Sequence, residues 1–243
     1  MPTIHISHLM KQYGSRVILR DVSLSIPKGQ IYGFIGPSGA GKTTLVKMMV
    51  GMDTPDAGQL YVLGEQMPNM SVLSKIGYMA QSDALYPELS GLENIQFFTE
   101  LYSLSKARQK ERIAYAAELV GLSSDLQRKV STYSGGMKRR LSLAISLVHD
   151  PEILILDEPT VGIDPKLRQI IWQELIRLKD EKQKTIIVTT HVMDEAQRCD
   201  CLAMVREGQI LAEGAPDALK TSYQVETLEE IFLQTGGVHD ENV

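Results

Sequence analysis

The sequence predicts an α/β fold: a mostly parallel sheet with flanking helices, an N-terminal antiparallel β layer beside it, and an inserted α-helical segment. Three observations predict it. First, a strand-like run at 30–35 leads into Gly36-Pro37-Ser38-Gly39-Ala40-Gly41-Lys42-Thr43-Thr44 and then a helical run at 45–50, the strand, glycine loop and helix of a P-loop. Second, the apolar run Ile153-Leu154-Ile155-Leu156 and the run Thr185-Ile186-Ile187-Val188-Thr189-Thr190 have the composition of strands buried on both faces, as in a parallel sheet. Third, the stretch between Gln81 and the first of those runs changes to helical patterning and capping signals, which places an insertion inside the α/β core.

Taken in order, residues 3–7 and 22–26 alternate apolar and polar, the period of half-buried antiparallel strands. Tyr13 falls in a predicted first loop, where an aromatic either packs under the loop or offers a flat face to a purine base. The turn Pro27-Lys28-Gly29 delivers the chain to the P-loop strand. Glycines let the loop curl so that successive N–H groups point into one concavity. The following helix adds its free N–H groups and the positive end of its dipole, so phosphate is the natural occupant. In such a loop Lys42 reaches the β- and γ-phosphates and the Thr43 hydroxyl ligates Mg²⁺. Gly51 stops the helix. Another turn at 54–58 precedes a strand at 59–63, and 75–80 reads as a short strand ending at Gln81, in position for a Mg²⁺ or water contact.

Ser90-Gly91-Leu92-Glu93 is a capping box and opens a helix to about Leu104; Ser105 precedes a second helical run that Gly121 closes. Ser134 caps the next helix, and Gly135 and Gly136 leave its N–H groups open beside Lys138-Arg139-Arg140, a second anion-seeking helix start. The run at 153–156 ends in Asp157, suited to Mg²⁺, and Glu158, suited to act as a base on water, at the strand edge where α/β sheets bind ligands. Asp164 and Pro165 are N-cap and first residue of the next helix. His191 ends a third strand on the same edge. His149 reads as a dipole partner at a helix end. A hairpin about Glu207-Gly208 and short helices follow, the last capped from Thr227 and ended by Gly236.

Composition narrows the function. The chain has 243 residues, 43% of them hydrophobic, and a net charge of −5, so no basic field is present to hold nucleic acid. No apolar run approaches the ~20 residues of a membrane span, and Met1-Pro2-Thr3-Ile4-His5 lacks signal-peptide features. A cytoplasmic protein is expected, held peripherally at the inner face of the cell membrane by another chain if it works there. Cys199 and Cys201 are expected to be reduced structural thiols.

With these residues in hand the chain resembles the ATP-binding subunits of ATP-binding cassette (ABC) transporters, over about residues 3–215. The family's motifs occur in order: the aromatic at Tyr13, Walker A from Gly36 to Thr43, the Q-loop at Gln81, the signature Ser134-Gly135-Gly136, Walker B to Asp157, then Glu158, the D-loop Asp164 and the switch His191. The resemblance implies a RecA-like P-loop NTPase core from 1–82 and 148–215, a helical signature subdomain at 83–147 and a helical tail at 216–243, all one ATPase domain. It implies ATP and Mg²⁺ as cofactors, with Thr43, Gln81 and Asp157 at the metal and Glu158, His191 and Gln81 catalytic. Tyr13, the loop from Gly36 to Thr44, Ser134, Gly135, Gly136 and Asp164 would contact nucleotide.

The signature more commonly begins with Leu and has Gln after its glycines; here Tyr133 and Met137 stand there. That form resembles export systems for drugs, antibiotics, lipids or polysaccharides. The resemblance implies an integral membrane permease as partner and an ATP-dependent homodimer, with each Ser134 serving the other copy's ATP. A groove at 82–87 is expected to take a cytoplasmic helix of the permease. An importer ATPase is the alternative within transport. Soluble relatives acting on DNA or ribosomes usually carry two cassettes or a long coiled coil, and no Asn-Lys-x-Asp guanine motif supports a GTPase.

Overall fold

The computed structural model describes residues 2–82, 84–102 and 104–235; the expectations at Asp83 and Gly236 lie outside the described residues. Strands β1 (Ile4–Tyr13), β2 (Arg16–Ile26), β3 (Ile31–Ile35), β4 (Ala57–Val62), β5 (Glu65–Gln66), β6 (Ile76–Met79), β7 (Ile153–Asp157), β8 (Thr185–Thr190), β9 (Cys201–Arg206) and β10 (Gln209–Gly214) form two sheets. One is four-stranded in the order β2-β1-β4-β5, the other six-stranded in the order β10-β9-β3-β8-β7-β6. The first is antiparallel throughout. In the second, β9, β3, β8, β7 and β6 run parallel, and only β10 is antiparallel.

The central parallel strands show why their sequences read as near-continuous apolar runs. In β3, Ile31 and Ile35 enter one core while Tyr32 and Phe34 enter the other; in β7, Leu154 and Leu156 go one way and Ile153 and Ile155 the other; in β8, Ile186 and Val188 oppose Ile187. The period of two feeds two cores, and each fully buried aliphatic contributes ~1.5–3 kcal/mol. One core is closed by α1 (Lys42–Met49) and the antiparallel sheet, through Leu45, Met48, Ile4 and Leu60. The other is closed by helices that include α5 (Gly135–Leu147) and α6 (Pro165–Lys182), through Leu143, Ile171 and Trp172.

Between β6 and β7 the chain forms α3 (Gly91–Glu100), α4 (Lys106–Leu119) and α5. Ser90 and Glu93 make the expected reciprocal capping box, and Gly121 takes φ +62° after α4, a conformation that suits glycine. Tyr133 is buried, its hydroxyl donating to the Asp125 carbonyl at 2.7 Å. A Cβ on Gly91 would stand 2.3 Å from that hydroxyl, so a phenol at this place requires a glycine opposite.

Several expectations need correction. Helix α3 ends at Glu100, not Leu104. Tyr13 closes strand β1 rather than lying in a loop. The short elements β5, α2 (Met70–Leu73) and α7 (Met193–Ala196) carried no sequence signal long enough to read. His149 is not a cationic dipole partner: burial pushes its pKa down to about 4, its ring stacks on Tyr102 at 3.7 Å between centroids, and Nε2 lies 3.1 Å from the Ile76 carbonyl. The last carbonyls of α5 are met by Arg112 instead, at 2.6 Å to Leu147 and 3.2 Å to Val148. Cys199 and Cys201 are free thiols, the first buried, and burial raises its pKa. No helix of the described residues is long and apolar enough to cross a membrane.

Candidate active site

Strand β3 delivers the chain to Gly36 at the carboxyl edge of the parallel sheet. A Cβ on Gly36 would sit 2.0 Å from the Val205 carbonyl, so only glycine passes this point. Gly39 and Gly41 take φ of +80° and +109°, and Gly41 is the N-cap of α1 with no side-chain cap. The helix therefore begins with N–H groups that no side chain satisfies. A cleft of about 380 Å³ opens there, lined by residues 38–44 with Arg16, Ile18, Gln81 and Glu158.

Lys42 is buried, and its ammonium donates to the carbonyls of Gly36 at 2.7 Å and Pro37 at 3.0 Å. Burial lowers its pKa, while Glu158 and Asp157 act the other way. The Lys42 ammonium thus lies within the field of two acids. Asp157 ends β7 and is 1% exposed. Its Oδ1 accepts a bond from Thr189 Oγ1, and its Oδ2 is buried with no hydrogen-bond partner. An unpartnered buried carboxylate oxygen is costly unless a cation or water meets it. That oxygen fits a divalent ion. Among the described residues no group of three or more His, Cys, Asp or Glu forms a protein-only metal cage, and Mg²⁺ characteristically takes one or two carboxylates and completes its shell with phosphates and water.

Glu158 follows Asp157 with φ +54°, a left-handed conformation that costs a non-glycine residue ~1–2 kcal/mol. Its N–H reaches both the carbonyl and the Oγ1 of Thr189, each at 3.1 Å, and its carboxylate is 3.0 Å from His191 Nδ1. His191 is held at the end of β8 by a buried network: Glu195 accepts from Thr160 and, at 2.7 Å, from Thr190, whose hydroxyl in turn accepts from the Val192 N–H at 2.9 Å.

The family described as ABC transporter matches residues 19–161. The Nod factor export ATP-binding protein I of Burkholderia orbicola (strain AU 1054) is 41% identical over 219 residues, 89% of this chain and 72% of that protein. The chain belongs to the ABC transporter family. It is an ATP-binding, ATP-hydrolysing cassette. A probable multidrug ABC transporter ATP-binding protein, YbhF of Escherichia coli (strain K12), is 39% identical over 98% of this chain and 42% of its own length. Among solved structures, an ATP-binding subunit of an ABC transporter shares the fold, with TM-score 0.89 and 24% identity, covering 96% of this chain and 99% of that one. A dimeric, post-hydrolysis ATP-binding cassette bound to ADP and Pi aligns with TM-score 0.80 and 26% identity over 87% of this chain and 98% of that one.

Within the cassette, residues from Ser38 to Thr44, Gln81 and Glu158 share one cleft; Gly36 and Pro37 hold Lys42, and Asp157 and His191 adjoin through Thr189 and Glu158. Tyr13, Ser134, Gly135, Gly136 and Asp164 are not among the cleft's described lining residues. Tyr13 is 50% exposed, bonded to Asp53 and lying under the Lys11 ammonium at 5.1 Å. Ser134 and Asp164 cap α5 and α6, accepting from Met137 at 3.2 Å and Leu167 at 3.0 Å. Met137 is partly buried and packs on the core cluster that α5 and α6 help to close.

Sequence reasoning missed Arg16 and Ile18 in the cleft wall, Thr189 and Glu195 behind it, and Arg139. The basic run 138–140 reads as phosphate-side charge, yet Arg139 turns inward to four main-chain carbonyls and Arg140 caps α4 through Val120 at 3.0 Å and Gly121 at 3.1 Å.

Proposed function

We propose that this cassette is the ATPase subunit of an exporter, working as a homodimer on a separate integral membrane permease at the inner face of the cell membrane. One observation carries the hydrolytic reading: the Glu158 carboxylate, held by His191 at 3.0 Å, shares a cleft wall with the phosphate-binding loop and Lys42. A carboxylate there is suited to orient and deprotonate a water aimed at the γ-phosphate. His191, bonded to it, is suited to hold that phosphate. Backbone N–H groups from Gly39 to Thr44 and the Lys42 ammonium bind the phosphates, with Gly36, Pro37, Ser38 and Ala40 shaping the loop, and Tyr13 offers its ring to the base. Thr43, Gln81 and the free Oδ2 of Asp157 would hold Mg²⁺, which supplies neutralising charge at the phosphate oxygens when bound.

Ser134, Gly135, Gly136 and Asp164 serve the second copy's nucleotide in this reading. The helical lobe at 83–147 carries the signature and receives the permease. A small groove of about 180 Å³ between Tyr78, Leu85, Phe98 and Ile145 supports a docking place for a partner helix beside Gln81. Export is supported by the relatives named above, whose own names state Nod factor export and multidrug transport.

The test is Glu158→Gln. Removing a general base lowers the rate by about 10²–10⁴-fold while binding survives. This variant is expected to bind Mg-ATP, hydrolyse slowly and accumulate as an ATP-bound dimer by light scattering. A Glu158→Gln protein that binds ATP and stays monomeric at high concentration would overturn the homodimer.

A further inference from the structure

Arg139 lies in α5, one and a half turns beyond Ser134, and only 7% of it is exposed. Its guanidinium donates through Nη1 to the carbonyls of Ala80 at 2.6 Å and Gln81 at 3.0 Å. Through Nη2 it donates to the carbonyls of Asp157 and, at 2.7 Å, Glu158. One planar cation therefore joins the helix that begins at the signature, the loop that carries Gln81, and the end of β7. A guanidinium presents a fixed fork of donors in a plane; an ammonium is a single point and cannot span these acceptors.

The acceptors matter because of what Glu158 does with its backbone. At φ +54° the residue occupies a region that persists only where its surroundings over-determine it. On the amino side, the Glu158 N–H is held by the core strand β8, through Thr189. On the carboxyl side, its C=O accepts from Arg139, a residue of the helical segment, at 2.7 Å and from the Val161 N–H of the following turn at the longer distance of 3.4 Å. The main chain that aims the carboxylate toward His191 and the cleft is thus held from both sides, and the shorter bond on the carboxyl side comes from α5.

We propose that Arg139 is a positioning residue for hydrolysis: it holds the main chain at Glu158 so that the carboxylate faces the cleft, and it ties that geometry to Gln81 and to the helix that Ser134 begins. The proposal rests on the role given to Glu158 above. A shift of the Ser134 helix or of the Gln81 loop then reaches the base through one guanidinium, without either segment touching it.

The experiment uses the full chain with Arg139→Lys and Arg139→Gln, each alone and combined with Glu158→Gln. Nucleotide affinity is measured without turnover, and hydrolysis as kcat and as a single-turnover rate. Misplacement of a reacting group by about 1 Å costs on the order of 100-fold. Both single variants are expected to lose about 10- to 100-fold in kcat, with ATP affinity within about twofold of the parent. In the Glu158→Gln background neither is expected to slow hydrolysis further, because a residue that acts only through Glu158 has nothing left to position. A kcat within about threefold of the parent in both variants would overturn the proposal. So would a loss that multiplies in full with Glu158→Gln, or loss of ATP binding in Arg139→Lys as well as Arg139→Gln, which would mark a role in folding alone. Parent-like hydrolysis by Glu158→Gln itself would remove the base assignment, a failure distinct from that of the Arg139 clamp.

Discussion

Helices α1 and α5 both begin beside glycines, yet their first turns are finished in opposite ways. At α1 the N-cap is Gly41, which offers no side chain to the first-turn N–H groups, and the next residue is the buried Lys42. At α5 the N-cap is Ser134, whose hydroxyl accepts the Met137 N–H at 3.2 Å, and both Ser134 and Gly135 are exposed. The first start is therefore an anion site within one molecule: open donors, a cation, and walls from Arg16, Gln81 and Glu158. The second is partly satisfied by its own serine and faces outward. In the function proposed above, the same local device is complete in one place and waits for a second copy's nucleotide in the other, the arrangement a head-to-tail dimer requires.

The largest effect that separates the two is expected from Lys42→Ala. Each charge-assisted hydrogen bond is worth ~1.5–3 kcal/mol, and the ammonium is placed to make more than one to phosphate. Equilibrium titration with Mg-ATP should show affinity at least about 100-fold weaker. Parent-like affinity would break the comparison at its first term, because the α1 start would not then be a phosphate site.

How much of this was legible in the sequence follows from distance along the chain. The α1 site is written in nine consecutive residues, each with a local reason: glycines for the turn, a lysine for charge, a threonine for the ion. The strands β3, β7 and β8 were legible because both their faces are buried and every residue is under the same pressure. The caps Ser90, Ser134 and Asp164 were legible because each bonds within three residues. What was not legible is what closes the site from afar. Thr189 meets Glu158 across 31 residues, and Arg139 meets Ala80 across 59; nothing in a run of Lys-Arg-Arg says which cation turns inward. His149 was misread for the same reason, since its partner carbonyl lies 73 residues away and a buried ring there is uncharged.

A smaller effect sharpens the second term of the comparison. A Cβ built on Gly135 meets nothing within 4 Å in this chain, whereas one on Gly136 stands 2.9 Å from the Gly162 carbonyl. Gly135→Val should then leave folding and single-molecule ATP affinity unchanged. If a second copy's nucleotide packs against this turn, the added volume meets it, and overpacking costs ~1–3 kcal/mol. Hydrolysis is expected to fall by about 10-fold or more, with loss of the ATP-dependent dimer on a sizing column. Unchanged hydrolysis would mean that the exposed helix start has no partner.

The smallest effect separates the two duties of Ser134. Its hydroxyl accepts the Met137 N–H and retains its own hydrogen for another acceptor. As a cap, Ser134→Ala should cost ~1 kcal/mol, whereas Ser134→Gly should cost only a few tenths, roughly, because glycine is itself a tolerated N-cap. For a chain of 243 residues, 1 kcal/mol lowers the melting temperature by about 2–4 °C. Thermal unfolding without nucleotide should therefore rank the parent and the glycine variant close together and the alanine variant lower. Hydrolysis should not follow that ranking. If the hydroxyl hydrogen is given to a phosphate oxygen on the other copy, alanine and glycine remove it equally, and both variants should slow by a similar factor. Rates that track the melting temperatures instead would reduce Ser134 to a cap, and the α5 start would then differ from the α1 start only in being better closed.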